Sequence, residues 1–381
     1  MRYAILGVGF IAPINAAALL SCEGAEICCI ANRTIEKAEA MREKLGLSCP
    51  VYADWKEALE KERPEAAVIC VFNDQHREYF TQCARRGIHV LCEKPLANNF
   101  SDCEEMIRER DRAGIRATVL QTQRYGAVLE TAADYIRKYA GILTGAGLSE
   151  DPPAAGTAGS TAPVEKRGLG ALCAVEDNMS CHYFWDGRSP WHLDPKRSGG
   201  GIVMNYGVHQ LDRVHYLIAA ALAREARQTV CGHSFGEERS AAGMPAGVKT
   251  TEFSGKAIVQ KPGVDVYSSY AMMGVTAAQV PYTVSCSGYC GPSVNEMFLH
   301  FQNATVKCVL CDNGMDARGV YVSKGSAFEK IPLICEDGEG GADMYAREMR
   351  AADDYLCGRL PEAPVSMEWA AEMVRLCEKI V

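Results

Sequence analysis

The chain has 381 residues, of which 48% are hydrophobic and 23% charged, and a formal net charge of -8. That length exceeds an ordinary single core and fits two domains, and the composition is globular rather than disordered. An acidic balance without a basic block excludes nonspecific nucleic-acid binding, and no apolar stretch is long enough to span a bilayer.

The first element is a strand over Tyr3-Ala4-Ile5-Leu6, followed directly by Gly7-Val8-Gly9-Phe10-Ile11-Ala12. In a dinucleotide fingerprint the first glycine permits a tight turn and the second lets backbone amides approach a pyrophosphate. A small third residue lets the helix pack on its strand. Pro13 suits a first helical turn, and the phosphate would rest on that helix N-terminus. The fold therefore begins at Arg2, which leaves no room for a secretory leader, and the expected location is cytoplasmic.

A second strand, Glu26 to Ala31, ends where an acid would bind the ribose hydroxyls of NAD; the chain offers Asn32-Arg33-Thr34 instead. Arg33 can pair with a 2′-phosphate, and Lys37 one helical turn on adds charge, so NADP is preferred over NAD. The alternative is an Arg33 that stacks on adenine or faces solvent. Asp54 reads as an N-cap for Trp55 to Lys61, and Ala66 to Val71 as the next strand. The run Ile88 to Cys92 is a further buried strand, and Glu93-Lys94-Pro95 lies just beyond its carboxyl end, where ligands gather in an open α/β sheet. Proline pins the backbone there, so Lys94 is aimed rather than loose. A surface lysine before a turn proline is the plainer reading of the tripeptide alone.

Ser101-Asp102-Cys103-Glu104 has the capping-box pattern for a helix through Ala113, and Ile115 to Gln121 closes a parallel sheet with helices on both faces. A nucleotide-binding domain over 1–123 and a second domain over 124–381 follow. Gln123-Arg124-Tyr125 opens a bridging helix to about Tyr139. Residues 141–170 are rich in Gly, Ala, Pro, Thr and Ser and read as a long exposed loop or a partly disordered insertion. After a strand over Leu172 to Val175 and a turn-rich stretch through Trp191, a long helix begins beyond Gly199-Gly200-Gly201. It places Asn205 and His209 on one face, with Asp212 a turn further. A histidine there can share a proton with a lysine or polarise a substrate oxygen; a satisfied core histidine is the alternative. The β-like runs Val264 to Met272, Tyr282 to Ser287, Met297 to Phe301 and Thr305 to Cys311 imply a mostly antiparallel sheet. Helices over Asp343 to Cys357 and Ser366 to Val381 end the chain.

Eighteen cysteines are scattered through these elements, among them Cys70, Cys83, Cys92, Cys103, Cys173 and Cys231. They read as small buried hydrophobes in a reducing compartment. Cys308 and Cys311 have metal spacing without a second pair, so no metal is expected.

Taken together, Gly7-x-Gly9-x-x-Ala12, Asn73-x-x-His76, Glu93-Lys94-Pro95, Arg124-Tyr125, Gly199-Gly200-Gly201 and Gly207-x-His209-x-x-Asp212 resemble the Gfo/Idh/MocA family of NAD(P)-dependent oxidoreductases. The resemblance covers nearly the whole chain. It implies an N-terminal Rossmann domain and a C-terminal α/β domain whose open, mostly antiparallel sheet commonly carries oligomer contacts, hence a homo-oligomer. It matches Lys94 to the family's catalytic lysine and His209 to its active-site histidine. The implied cofactor residues are Gly7, Gly9, Phe10, Ile11, Ala12, Asn32, Arg33, Thr34, Lys37, Asn73, His76, Glu93 and Lys94. Many members carry aspartate four residues before the histidine, where this chain has Asn205, so a Lys-Asp-His proton relay is not assumed. Phe72 replaces a proline often found before Asn73.

The resemblance further implies hydride transfer between the nicotinamide and a carbinol carbon (or ketone) of a sugar, cyclitol or derivative, with Lys94 exchanging the proton and His209 assisting. Arg124, Tyr125, Tyr183, Trp191, His192 and Asn205, with Asp194, are candidates for contacting such a polyhydroxylated substrate, because aromatic and polar groups together suit a sugar ring. Two other readings stay open. One is a glycoside-processing enzyme that works through a transient keto-sugar and recycles its cofactor. The other is a cofactor-binding regulator without catalysis.

Overall fold

The computed structural model describes the chain except for residues 141–163, 165–167, 224–243, 262, 312–315 and 325–326. Most of the expected 141–170 insertion, and Cys231, therefore lie outside the described residues.

The first sheet orders its strands β3-β2-β1-β4-β5-β6, all parallel: β1 Arg2–Leu6, β2 Glu26–Ala31, β3 Val51–Tyr52, β4 Ala66–Ile69, β5 His89–Glu93 and β6 Ala117–Leu120. A sheet covered on both faces needs strands apolar throughout, as in β1, where Tyr3, Ala4, Ile5 and Leu6 are all fully buried. Tyr3 and Ile5 pack with Ala12, Ala16 and Leu19 of α1 (Ala12–Leu20) on one face, and Ala4 and Leu6 enter the larger core on the other. The strand order reverses between β1 and β4, so the crevice at their carboxyl ends is the topological switch point where ligands bind.

The covering helices include α2 (Ile35–Lys44), α3 (Trp55–Glu62), α4 (His76–Ala84) and α5 (Phe100–Ala113). Asp54 caps α3 as expected, accepting from the Lys56 amide. The cap of α5 is not Ser101, which already lies inside the helix; Asn99 in extended backbone accepts from the Asp102 amide at 2.8 Å. Asn99 Nδ2 also donates to the Asp102 carboxylate, so the cap lies two residues upstream of the pattern read in the sequence.

After α6 (Ala127–Tyr139) comes the second sheet, ordered β14-β13-β12-β11-β7-β10-β9-β8, in which only β7 and β10 run parallel. Its strands are β7 Leu172–His182, β8 Thr250–Ile258, β9 Ser269–Thr276, β10 Pro281–Ser287, β11 Tyr289–Phe301, β12 Thr305–Val309, β13 Gly319–Lys324 and β14 Ala327–Ile331. β7 runs well past the expected end at Val175. Its polar stretch Glu176-Asp177-Asn178 reads as a turn, but fully buried Asp177 is neutralised by Arg213.

A short turn α7 (Pro195–Ser198) leads into a π-helical turn over Val203–Gly207 and then α8 (Val208–Leu222), which packs between α6 and the sheet. The last helices, α9 (Ala342–Leu356) and α10 (Met367–Glu378), return to the first sheet. Tyr3 donates to Asp353, Thr118 Oγ1 to the Val365 carbonyl and Arg110 to Glu368, so the C-terminal stretch braces the nucleotide-binding half. Among the described residues, no helix is long and apolar enough to cross a membrane, and no group of three or more His, Cys, Asp or Glu could hold a metal ion.

Candidate active site

The glycine loop leaves β1 with Gly7 at φ +92°, a conformation L side chains rarely adopt, and a Cβ there would meet the Cys70 carbonyl oxygen and Val71 Cγ1 at 2.7 Å. Asn32 holds the loop, its Oδ1 accepting from the Val8 amide at 3.0 Å and its Nδ2 donating to the Thr34 carbonyl at 2.7 Å. No side chain caps α1 and no acid lies in its first turn, so its amide end is left for an anion. Phe10 is 90% exposed beside it. Arg33, Thr34 and Lys37 are exposed at the end of β2, with no carboxylate at Asn32. These residues fit a nicotinamide dinucleotide: a cradle that a Cβ would fill, an uncapped helix terminus and cations at the ribose edge.

Lys94 follows β5, with the Lys94–Pro95 peptide cis. Buried Glu93 secures the turn by accepting from Asn15 Nδ2 at 2.8 Å and from the Lys94 amide at 3.2 Å. His76 is fully buried, its Nδ1 donating to the Pro95 carbonyl at 2.8 Å while Nε2 lies 3.3 Å from the Val71 carbonyl. With both ring nitrogens facing backbone carbonyls, the ring ties the β4 and β5 loops together, and burial lowers its pKa. Asn73, also buried, donates to the Ser198 carbonyl at 3.4 Å.

From the other half, the glycine run docks onto this turn. Gly199, at φ +69°, leaves room that a Cβ would deny to Asn98 Oδ1, 2.4 Å from its position. Asn98 Nδ2 in turn donates to the Lys196 and Arg197 carbonyls. The π-helical turn then brings Asn205 over the lysine: Lys94 Nζ donates to Asn205 Oδ1 at 3.0 Å and lies 3.4 Å from its carbonyl oxygen. Asn205 Nδ2 donates onward to the Tyr183 hydroxyl at 3.4 Å.

Burial lowers the Lys94 pKa, Glu93 opposes that, and Arg188 adds to the depression. Burial, then Lys94 and Arg213, hold His209 well below the ordinary imidazole range. His192 is brought to about 4 by burial, Arg188 and Lys94. Both rings are neutral at pH 7. His209 Nδ1, His192 Nδ1 and Arg188 Nε are all removed from solvent and make no hydrogen bond within the described protein. Such atoms are costly unless a ligand or water completes them.

The structure thus gathers Lys94, Asn205, His209, Tyr183 and His192, with Trp191 stacked on His192 at 3.8 Å and tilted against Phe72 at 5.3 Å. It does not bring Arg124 or Tyr125 to the pocket as substrate contacts. Arg124 is buried in a two-pronged pair with Asp212, which also accepts from Trp369 Nε1 at 2.9 Å. Tyr125 is buried, and its carbonyl accepts from Arg347. Asp194 caps α7 by accepting from the Lys196 amide. Sequence reasoning missed Arg188. Trp185-Asp186-Gly187-Arg188 offered a signal, an aromatic and a cation around a glycine at φ +96°, but it sits in an irregular connection without period.

An oxidoreductase family model with an NAD-binding Rossmann fold, GFO_IDH_MocA, matches residues 1–121, and the GFO/IDH/MocA C-terminal domain model matches residues 163–307. A myo-inositol 2-dehydrogenase of Thermotoga maritima is 33% identical over 115 residues, 30% of this chain and 34% of that protein. A 2,7-anhydro-N-acetylneuraminate hydratase of Mediterraneibacter gnavus is 31% identical over 113 residues, 30% of this chain and 29% of that protein. The chain thus spans about a third of the length of these curated relatives. A levoglucosan dehydrogenase solved with NADH and levoglucosan aligns over 100% of this chain and 96% of its own, with a TM-score of 0.75 at 15% identity, a likeness of fold.

Proposed function

The chain belongs to the Gfo/Idh/MocA oxidoreductase family, and from that premise we propose that it exchanges a hydride between a nicotinamide cofactor and a hydroxyl-bearing carbon of a sugar, cyclitol or related substrate. The observation that carries this reading is the lysine itself: Lys94 is held by Asn205 Oδ1 at 3.0 Å, its pKa is lowered by burial, and the nearby His209, His192 and Arg188 each keep a buried nitrogen without a hydrogen bond in the described protein. When bound, the nicotinamide supplies the hydride-exchanging carbon.

The remaining steps belong to side chains. Lys94, neutral, takes the proton of the substrate hydroxyl as it becomes a carbonyl, and returns it in the reverse direction. Asn205 accepts a hydrogen bond from Nζ and so fixes where the amine points. A carboxamide does not ionise and so cannot relay the proton, which stays on Lys94 until solvent or product removes it. Neutral His209 bonds the same oxygen or a neighbouring hydroxyl through its open Nδ1 edge.

NADP is the preferred cofactor in this reading, supported by exposed Arg33 and Lys37 and by an Asn32 whose side chain is spent on the loop. The outer face of the second sheet, where Met273 is 59% exposed, is the surface we propose for self-association, in a cytoplasmic enzyme. The similarity to a hydratase favours a second reading, in which the hydroxyl is oxidised only transiently and the cofactor is recycled in place.

The test is absorbance of reduced nicotinamide after the protein is mixed with oxidised NADP or NAD and pooled sugars and inositols. Reduced cofactor released to solution supports the first reading. Reduced cofactor that stays bound and decays as product forms supports the second. Cofactor binding with no reduction by any member of the pool overturns both in favour of a regulator.

A further inference from the structure

We propose that the substrate of this pocket carries a carboxylate and that Arg188 anchors it, an inference that rests on the reading of the pocket as the substrate site. The guanidinium lies over the Tyr183 ring at 3.8 Å and 5.9 Å from the ring centre of Trp185, and Nη2 donates to the Tyr206 hydroxyl at 3.4 Å. Its Nε is buried and makes no hydrogen bond within the described protein. Stacking on tyrosine satisfies the face of the cation and leaves the edge of the fork, which matches a carboxylate through two parallel hydrogen bonds.

The surrounding carboxylates are already engaged. Glu93 accepts from Asn15 Nδ2 and the Lys94 amide, and Asp194 from the Lys196 amide. Asp212 pairs with Arg124, and Asp177 with Arg213. Arg188 stacks on Tyr183, whose hydroxyl accepts from Asn205 Nδ2, and Asn205 Oδ1 accepts from Lys94 Nζ, so the guanidinium stands two side chains from the reacting amine. Arg188 is thus the cation of a site whose imidazoles and reacting amine are neutral, and among the described residues no carboxylate pairs with it. An anion completes that arrangement; a neutral polyol does not. The cofactor phosphates have a separate place at the uncapped end of α1, which leaves the charge at Arg188 for the substrate. With His209 and Asn205 available for hydroxyls, the ligand class is a polyhydroxylated acid such as a uronate.

The test is calorimetric titration of the full chain loaded with oxidised NADP. D-glucuronate and D-galacturonate are compared with D-glucose, D-galactose and myo-inositol, with nicotinamide absorbance followed in parallel. The expected result is that at least one uronate binds about ten-fold or more tightly than the neutral compounds. Arg188→Met should remove that preference while leaving NADP affinity within about two-fold, and Arg188→Lys should keep part of it. Equal binding of acids and neutral compounds, no binding of either, or a preference that survives in Arg188→Met overturns the proposal. A loss of NADP affinity in Arg188→Met overturns it too, by placing the arginine at the cofactor. The redox reading fails separately: uronate binding that depends on Arg188 without any reduced nicotinamide sinks the dehydrogenase and leaves the anchor standing.

Discussion

Two sets of buried charge in this molecule use the same residue types to opposite ends. Under α8, Arg213 donates to Asp177 and Asn295, and Arg124 is held by Asp212 between Tyr216 and Trp369, so each cation meets a carboxylate. Around Lys94, Arg188 stacks on Tyr183 with an unbonded Nε, and His192 and His209 each leave Nδ1 open. Saturation marks the first set as scaffold, joining α8 to both halves of the chain. Incompleteness, gathered around one amine, sets the second apart as the candidate binding place.

The sharpest way to break this comparison is to remove the amine. Lys94→Ala should lower turnover by about 10²- to 10⁴-fold with cofactor affinity nearly unchanged, measured by steady-state kinetics and cofactor titration. Activity within a few-fold of the parent would return Lys94 to the scaffold. In the saturated set the loss should appear in stability instead: Asp212→Ala leaves Arg124 buried without its counter-charge and should cost about 3–5 kcal/mol by urea unfolding. Arg188→Met, by contrast, should change stability by no more than about 1 kcal/mol in the same assay, since no buried charge is orphaned.

Smaller effects sharpen the electrostatics. Oxidation needs neutral Lys94, so its rate should rise with pH through the lysine pKa, which burial sets below the ordinary ammonium range. Asn205→Asp puts a carboxylate where Oδ1 now lies 3.0 Å from Nζ, favours the ammonium, and should move that rising limb to higher pH. A limb that stays in place or moves down would mean another group controls it. Arg33→Ala should raise KM for NADP by about ten-fold and leave KM for NAD within about two-fold, because only NADP carries the phosphate that the guanidinium can pair with.

The candidate site residues were more legible in the sequence than the scaffold around them. Gly7, Lys94, Asn205 and His209 stand at fixed places relative to a strand or helix start, and although Lys94 alone reads as a surface lysine and His209 alone as a core histidine, the series of motifs in order singles them out. Arg124 and Asp212 looked equally chemical, because a motif residue and a buried partner 88 positions away cannot be told apart until the chain is folded. The same long-range neutralisation hid the second half of β7, where Asp177 breaks the apolar pattern of a central strand. β8, β13 and β14 were missed for a different reason: β8 and β14 are edge strands, largely exposed, with no alternating apolar face to read, and β13 buries the side chains of Val320 and Val322, too short an alternation to stand out. Arg188 lies on an irregular connection, and only its uncompleted hydrogen bonds single it out.

The central claim is that Lys94 is poised to give up its proton, and the direct measurement is a pH titration of the full chain carrying ¹³C at lysine Cε, with Lys94→Arg to assign the signal. The account predicts one resonance that titrates below the other lysines and is missing from the variant. Lysines that all titrate together, with nothing lost from that region in Lys94→Arg, would contradict it.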